Sequence, residues 1–333
     1  MGIYFWKEFF MRKSLMVAAI LLLVGCADQE AESKPDPDAP VTVELEGQEY
    51  TVYTYFDALM EYAEQAEEHP NQLDKYYKES VTDPFRKRAF EEEAGSAAIL
   101  RDPSFKPPED LEKLREGIHT LKEREDDIHK WIEQSLEKSV DKLPSNGTDI
   151  HIFPVDMGIA GFERFYQVIG GATGRAYNED AFVLRLAPSI EKEALLNIVA
   201  HEYHHTVAFE KGYIEESNSL LHEVLIEGKA EMFARTVYPD VKSNISPPFS
   251  SKQLEEEIWT YLSENRSETL PRYKEPLMDG DRERSWPSES DYRIGRQIMK
   301  DFVENNPEVP IEDWTVMPAE EVLEKSRYEE RFE

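Results

Sequence analysis

The motif His201-Glu202-Tyr203-His204-His205 combines residue types and a spacing that suit metal chemistry. His201 and His205 are four positions apart, so on a helix both imidazoles project from one face about one turn apart. Zinc binds imidazole nitrogens at roughly 2.0–2.1 Å, which this spacing allows. Glu202 can hold a metal-bound water and accept its proton as a general base. The motif therefore predicts one Zn²⁺ ion and hydrolysis by a metal-activated water.

Chance alone rarely produces this motif. For a chain with 8 histidines and 69 acidic residues among 333, at most about 0.04 accidental matches are expected. The alternative is an ordinary helix on which histidines happen to cluster. His204 does not share the face of the other two histidines. We expect it either to support the site without binding the ion or to be exposed.

A catalytic zinc ion needs a third protein ligand and an open position for water. The segment Glu227-Gly228-Lys229-Ala230-Glu231 begins 22 residues after His205, on the next predicted helix. Glu227 is the candidate for the third ligand, and Gly228 would allow the two helices to approach closely. Glu231, one turn later, could accept a hydrogen bond from the far nitrogen of a ligating histidine and so set its tautomer.

Two alternatives to Glu227 as a ligand stay open at this point. Glu223, Glu227 and Glu231 follow one another at intervals of four, so they also fit a solvated acidic stripe on one helix face. His222 and Glu223 are competing third ligands, although they lie further from the helix centre. The upstream histidine motif favours Glu227 over both alternatives.

HExxH followed by Glu-Gly-x-Ala-Glu resembles the pattern of the gluzincin metallopeptidases, including their aminopeptidase-like branch. The resemblance implies that Glu227 is the third zinc ligand. Tyr292-Arg293-Ile294-Gly295 also resembles the Tyr-x-x-Gly segment of that branch, in which the tyrosine hydroxyl stabilises the tetrahedral oxyanion. This implies the same role for Tyr292, against the alternative of an aromatic residue that packs at the start of a helix.

Residues 45 to 320 more closely resemble a bacterial family of predicted zinc-dependent proteases of unknown function, most specifically over 198 to 234. The resemblance implies a zincin-like fold and a peptide or protein substrate. The chain lacks the Gly-x-Met-Glu-Asn segment with which the aminopeptidase branch binds a free N-terminus, so exopeptidase specificity does not carry over. Residues 181–186 stand where such folds place the edge strand that pairs with an extended peptide.

The pattern of apolar residues around these motifs predicts an α+β fold that is mainly helical, in line with the zincin-like fold that the resemblance implies. It has a small antiparallel or mixed sheet and carries the histidine motif on a helix. Alternation over 41–55 predicts a hairpin, and apolar residues at helical spacing predict helices from 56 to about 143. After a boundary at 144–147, the predicted elements are a strand (150–155), a turn or loop (170–174), a strand (181–186), a helix opening at 188–189 with Ser189 as N-cap, and helices over about 217–237 and 291–303.

We therefore predict a mainly helical N-terminal region over 41–145 and a metallopeptidase domain over 146–333. Ahead of them, the short apolar run 15–24 and Leu23-Val24-Gly25-Cys26 resemble a bacterial lipoprotein signal with its lipobox. Cleavage before Cys26 and lipidation of its thiol are implied, with a buried N-terminal helix and an incidental cysteine as the alternative.

Residues 1–26 are thus predicted to be a signal peptide and residues 27–40 a flexible acidic linker. Each buried CH₂ of a lipid chain contributes about 0.8 kcal/mol, so an anchor with several acyl chains would hold the protein on a membrane. We expect it to be lipid-anchored on the outer side of the bacterial cytoplasmic membrane.

The composition limits which classes of partner the protein can bind. The formal net charge of −31, from 69 acidic and 38 basic residues, argues against nucleic acid, because binding phosphates requires clustered Lys and Arg. The acidity fits a well-solvated surface, with attraction of a basic substrate as the alternative. A hydrophobic fraction of 40% is enough for a core, and a single cysteine excludes an intramolecular disulfide.

Three functions fit these observations. The first is a zinc endopeptidase that cleaves peptide bonds outside the membrane, with Glu202 as base and Tyr292 as hydrogen-bond donor. The second is a lipoprotein that binds zinc or a substrate without turnover, and the third is a metallohydrolase that acts on another kind of bond. The intact Glu202 favours the first over the second, because a purely structural zinc site needs no base.

Overall fold

The computed structural model describes most of the chain after the predicted linker. The described residues are 40–90, 99, 102–214, 219–241 and 246–332. The predicted signal peptide, Cys26 and all of the linker except residue 40 lie outside them. Within the described ranges, no helix is both long and apolar enough to cross a lipid bilayer.

One mixed sheet of five strands lies within the described part of the chain. The strands are β1 (Val41–Leu45), β2 (Gln48–Thr54), β3 (Thr148–Pro154), β4 (Ala172–Ala176) and β5 (Ala181–Leu186). Their order is β1-β2-β3-β5-β4. The three central strands run parallel, while β1 and β4 pair antiparallel at the two edges. The predicted hairpin is confirmed as β1 and β2.

Helices surround this sheet, which confirms the predicted α+β class. The first group is α1 (Phe56–Glu68), α2 (Leu73–Tyr77), α3 (Asp83–Ala89), α4 (Leu111–Lys122), α5 (Glu125–Lys142) and α6 (Phe162–Ile169). The second group is α7 (Lys192–Glu210), α8 (Leu220–Val237), α9 (Lys252–Asn265), α10 (Pro271–Met278), α11 (Ser290–Asn305), α12 (Ile311–Val316) and α13 (Ala319–Ser326).

Local sequence explains where several of these helices begin. The side chain of Asp110 accepts a hydrogen bond from Lys113 N at the start of α4, and Ser219 caps α8 by accepting one from His222 N. The predicted cap at Ser189 is wrong, because α7 begins at Lys192 with Glu191 in the cap position. The chain first makes a turn in which Ile190 N donates to Ala187 O, and this turn delays the helix.

The edge of the sheet differs from the prediction. The predicted edge strand, β5, lies inside the sheet between β3 and β4, and the predicted turn at 170–174 contains the start of β4. An almost continuous apolar run such as that of β5 is typical of a strand buried on both faces. The glycines of 170–174 were misleading, because Gly174 is a strand residue that leaves space for a side chain of α7.

α7 lies at the centre of the molecule. Every residue from Leu195 to Ala208 is buried, so the helix has no solvated face over this length. It packs against α5, α8, β4 and β5. A helix enclosed on all sides can bury polar side chains only if they find partners, and the histidine motif lies in this enclosed stretch.

Candidate metal centre

Three donor atoms from α7 and α8 converge in the interior. His201 Nε2 lies 3.0 Å from His205 Nε2, and Glu227 Oε2 lies 3.3 Å from each of these nitrogens. Donors that surround a zinc ion tetrahedrally at 2.0–2.1 Å are about 3.3–3.4 Å apart. The triangle therefore has the size and the nitrogen–oxygen composition that suit zinc. Among the described residues, these three form a group able to hold a metal ion.

One of the three donor atoms also lacks a hydrogen bond within the described part of the chain. Glu227 Oε2 is buried and receives no hydrogen bond from the described residues. A buried carboxylate oxygen without a donor is costly, so this oxygen is suited to a cation. His201 and His205 are 2% and 7% exposed. Bulk water therefore has little access to their ring nitrogens.

Electrostatics favours a positive charge at this point. Burial opposes a charged imidazole, but the carboxylates of Glu227 and Glu231 outweigh it and raise the pKa of His201 to about 10. Burial would likewise raise the pKa of Glu227, and the adjacent His205 and His201 hold it well below its usual range. The field that favours a proton on His201 equally favours a divalent cation in the proton's place.

Glu231 lies behind the first histidine. Its Oε1 is 3.4 Å from His201 Nδ1, the nitrogen that points away from the donor triangle. The hydroxyl of Ser246 donates a hydrogen bond to the other oxygen of Glu231. Glu231 thus lies next to the far nitrogen of His201, the position from which it could orient that ring. Ser246 was not predicted, since nothing in its local sequence marks it.

Glu202 is the buried carboxylate beside the donors. Its Oε2 accepts a hydrogen bond of 2.7 Å from the backbone N–H of Ala176 on β4. A Cβ atom at Gly174 would lie 2.3 Å from Glu202 Cγ, so only glycine leaves space for this side chain. Burial raises the pKa of Glu202, which makes the carboxylate a better proton acceptor. Neither Ala176 nor Gly174 was predicted as part of the site.

Tyr292 reaches the centre from α11. Its ring stacks on that of His201, with centroids 5.8 Å apart and planes 16° apart. Burial and the nearby Glu227 carboxylate raise the pKa of Tyr292 well above its usual value. The hydroxyl therefore stays protonated at neutral pH and remains able to donate a hydrogen bond.

Two glycines bring α11 close enough for this contact. A Cβ atom at Gly228 would lie 2.4 Å from the carbonyl carbon of Gly295, and one at Gly295 would lie 2.3 Å from Val224 O. Gly228 was expected to bring the two ligand-bearing helices together. That expectation is wrong, because the glycine contact joins α8 to α11 instead. The contact between these glycines therefore sets the position of Tyr292 on α11 and does not set the position of Glu227 relative to α7.

The other histidine of the motif serves packing. His204 is 1% exposed, so the alternative that it lies on the surface is wrong. Its Nε2 is 3.3 Å from Thr315 Oγ1, and its ring stacks on Trp314. Lys229 anchors the same segment from α8, because its ammonium donates to the backbone oxygens of Thr315 and Met317. Sequence reasoning did not find this role of Lys229.

The competing third ligands lie elsewhere. His222 packs its ring against Tyr213, with centroids 4.6 Å apart. Glu223 accepts a hydrogen bond of 2.6 Å from the ammonium of Lys274. Neither side chain joins the donor triangle, so Glu227 is the carboxylate that the fold presents to the two histidines.

Two cavities meet beside the centre. One, of about 450 Å³, is lined by His201, Glu202, Glu227 and Tyr292 among others. The second, of about 1180 Å³, is lined by Asp156, Tyr166 and Val183 among others. Both share Thr173 and Gly174 on β4. The donor triangle therefore borders a cavity that adjoins the edge strand β4.

Together, the fold and the site define an α+β protein in which two packed helices present a His-His-Glu group able to hold a metal ion. The family model described as "Predicted Zn-dependent protease (DUF2268)" matches residues 128–324. The chain belongs to this family, which confirms the resemblance to a family of predicted zinc-dependent proteases. No curated protein and no solved structure matches the chain.

Proposed function

We propose that the protein is a zinc-dependent endopeptidase. The observation that carries this proposal is the donor triangle of His201, His205 and Glu227, which lies with Glu202 at a cavity bordered by the edge strand β4. The donor set matches a catalytic zinc site with three protein ligands and an open position.

Each residue of the site then has a chemical task. A bound zinc ion would supply Lewis acidity to a water molecule and to the substrate carbonyl. Glu202 accepts the proton of the attacking water, and the N–H of Ala176 holds this carboxylate in place. Tyr292 donates a hydrogen bond to the carbonyl oxygen as negative charge develops there. Glu231 keeps His201 oriented.

The edge strand supports a peptide as the substrate. Within the described residues, β4 pairs only with β5. Tyr177 N donates to Ala181 O, which identifies that pair as hydrogen-bonded. Bonded and non-bonded pairs alternate in an antiparallel ladder, so Gly174 directs its N–H and C=O away from β5. An extended peptide can pair with these groups beside Glu202.

The cleft favours internal over terminal cleavage. Thr173 and Gly174 line both cavities, so open space borders the edge strand beyond the donor triangle and leaves room for a chain that continues past the cleaved bond. The absence of the Gly-x-Met-Glu-Asn segment agrees with this proposal.

Zinc content and peptide cleavage test the proposal together. We expect the wild type to bind one zinc ion and cleave a peptide library at internal bonds. Glu202→Gln should keep zinc and lose turnover, whereas Glu227→Ala should lose zinc. Glu223→Ala, one helical turn before Glu227, is the matched control and should change neither. A wild type without zinc at pH 7, or cleavage by Glu202→Gln at the wild-type rate, would contradict the proposal.

We further propose that the protein is anchored by lipid on the outer side of the bacterial cytoplasmic membrane. The proposal rests on Leu23-Val24-Gly25-Cys26 and the apolar run before it. Membrane fractionation tests it: Cys26→Ser should move the protein from the membrane to the soluble fraction. An unchanged membrane fraction would count against lipidation of Cys26.

A further inference from the structure

Exposed apolar side chains are concentrated around the cleft. Among the described residues, seven large apolar side chains are exposed: Val41, Ile159, Phe165, Val168, Leu270, Met278 and Val316. Phe165, Val168 and Met278 line the cavity that contains the donor triangle, and Ile159 lines the neighbouring cavity. On a chain with a net charge of −31, this concentration marks a binding surface.

Helix α6 supplies the main part of this surface. It is short and carries Phe162, Phe165, Tyr166, Val168 and Ile169. Tyr166 and Ile169 are buried against a small cluster of their own. Phe165 and Val168 remain 43% and 62% exposed. The apolar face of α6 is therefore wider than the part that packs against the protein interior. The part that is left, Phe165 and Val168, lines the cavity.

The position of α6 relative to the edge strand is fixed at several points. The hydroxyls of Tyr166 and Thr173 are 3.1 Å apart, which ties α6 to β4. Gly170 ends the helix at a φ of +84°, a conformation that favours glycine. A Cβ atom there would lie 2.6 Å from Ala194 Cβ on α7. The outward face of α6 is thus held at a set distance from the groups that would bind the peptide backbone.

The cavity is apolar on one side and charged on the other. We define the apolar wall as Phe165 and Val168 of α6, Ile198 of α7 and Met278 at the end of α10. Lys274, Glu289, Asp291 and Arg293 lie on the side of α10 and α11. Burying a substrate side chain against the apolar wall lowers the free energy of binding only if that side chain is itself apolar.

We infer that the apolar wall selects peptides with a large apolar side chain, such as leucine or phenylalanine, next to the bond that is cleaved. The inference rests on the proposed endopeptidase function and names its substrate class. The wall borders the cavity that contains Glu202 and the donor triangle. A peptide paired with β4 therefore brings a side chain near the scissile bond against Val168 and Phe165.

Matched peptides that differ only beside the scissile bond test this inference. A hydrophobic pocket discriminates by 10–200-fold per missing methylene, so we expect kcat/KM for a leucine peptide to exceed that for its asparagine analogue by on the order of 100-fold. Val168→Ser and Phe165→Ser should each reduce this preference by roughly tenfold. Both side chains are exposed, so their replacement should leave the fold intact.

Val41→Ser is the matched control. Val41 is 38% exposed and lies on β1, at the opposite edge of the sheet from β4. This variant should keep the wild-type preference. Equal kcat/KM values for the two peptides in the wild type would overturn the inference and leave the endopeptidase proposal standing.

A binding measurement separates this inference from the proposed function. The zinc-loaded Glu202→Gln variant should bind the labelled leucine peptide more tightly than the asparagine peptide, and adding Val168→Ser should remove the difference. If no peptide is cleaved but this binding difference holds, the wall is supported and the catalytic proposal fails. If Val168→Ser changes only self-association in sedimentation and not the peptide preference, the wall binds a second copy of the chain and the inference is wrong.

Discussion

His151 and His201 are both buried histidines, and their surroundings differ in charge. His151 lies on β3 among aromatic rings, stacked on Tyr53 at 5.2 Å, and its Nδ1 is 3.1 Å from the hydroxyl of Tyr55. Burial, helped by the positive charge of Arg88, lowers its pKa to about 3. Carboxylates on both sides of His201 instead raise its pKa to about 10.

Burial alone therefore does not prepare a histidine for chemistry. Burial among aromatic rings holds the imidazole of His151 in its neutral form above its lowered pKa, so it contributes packing and a contact with the hydroxyl of Tyr55. The same group enclosed by Glu227 and Glu231 lies in a field that stabilises a cation. The difference between the two regions is therefore set by the carboxylates of α8 and not by the histidines themselves.

The largest effect should come from replacing His201, the buried histidine that lies between two carboxylates. We expect His201→Ala to weaken zinc binding by more than 100-fold, since loss of a supporting partner alone costs about 10–100-fold. Isothermal titration with zinc measures it. His204→Ala is the control on the same helix and should keep wild-type affinity while lowering stability, because its ring packs against Trp314. Equal zinc affinities in the two variants would contradict the assignment.

The second prediction concerns His151 and acid. Its pKa is about 3 when folded and about 6.5 when unfolded. Between these values the unfolded chain binds the extra proton, so this residue makes stability fall as the pH falls from 6.5 towards 3, by up to about 1.4 kcal/mol per pH unit.

Urea unfolding at several pH values checks this. His151→Gln should reduce the slope of stability against pH in that window by about the same 1.4 kcal/mol per unit. His119→Gln, a change at an exposed histidine on α4, is the control and should keep the wild-type slope. A slope that His151→Gln leaves unchanged would show that His151 takes up its proton while folded.

A smaller effect is expected from the carboxylate behind His201. Glu231→Gln should weaken zinc binding by about 10–100-fold, because the amide holds and polarises the imidazole less strongly than the carboxylate. Competition with a chromogenic chelator measures the affinity. Glu223→Gln changes an equivalent side chain on the same helix, one that contacts Lys274 instead, and should have no effect. If both variants bind zinc like the wild type, Glu231 plays no part in the centre.

The smallest effect is a change in stability when a helical glycine is replaced by alanine. Gly228 lies on α8 beside the metal-binding residues, and Gly117 lies on α4. Gly228→Ala should destabilise the protein by about 1–3 kcal/mol, because its Cβ would meet the backbone of Gly295. At Gly117 of α4 an added Cβ would lie 3.5 Å from Pro188 Cγ, an ordinary contact. Gly117→Ala should therefore stabilise the helix by about 0.5–1 kcal/mol. Thermal unfolding of both variants checks the pair, and a shift in the same direction for both would refute it.

Helical regularity made much of this protein predictable. A spacing of four on one helix brings His201 and His205 together whatever surrounds them, since the helix repeat alone sets that geometry. Apolar periodicity likewise identified the stripe of α4, whose Leu114, Ile118 and Leu121 are buried. The class of fold and the family followed from the same local patterns.

Contacts between distant parts of the chain were not predictable in this way. The place of β4 at the sheet edge, its N–H on Glu202, the hydroxyl of Ser246 on Glu231 and the glycine contact of α8 with α11 each join residues from different elements. A glycine in a strand and a glycine in a turn look the same in a sequence. What differs is the neighbour that would occupy the space of the missing side chain.

The spacing in the sequence was enough to pair His201 with His205 and to place Glu202 next to them, because helix geometry converts spacing into distances. The choice of Glu227 over His222 and Glu223, the contacts of Glu202 and His201, and the apolar wall beside them follow from the tertiary structure alone. Those depend on how helices and strands far apart in the chain pack, and packing is set by the shapes and charges of all the partners at once.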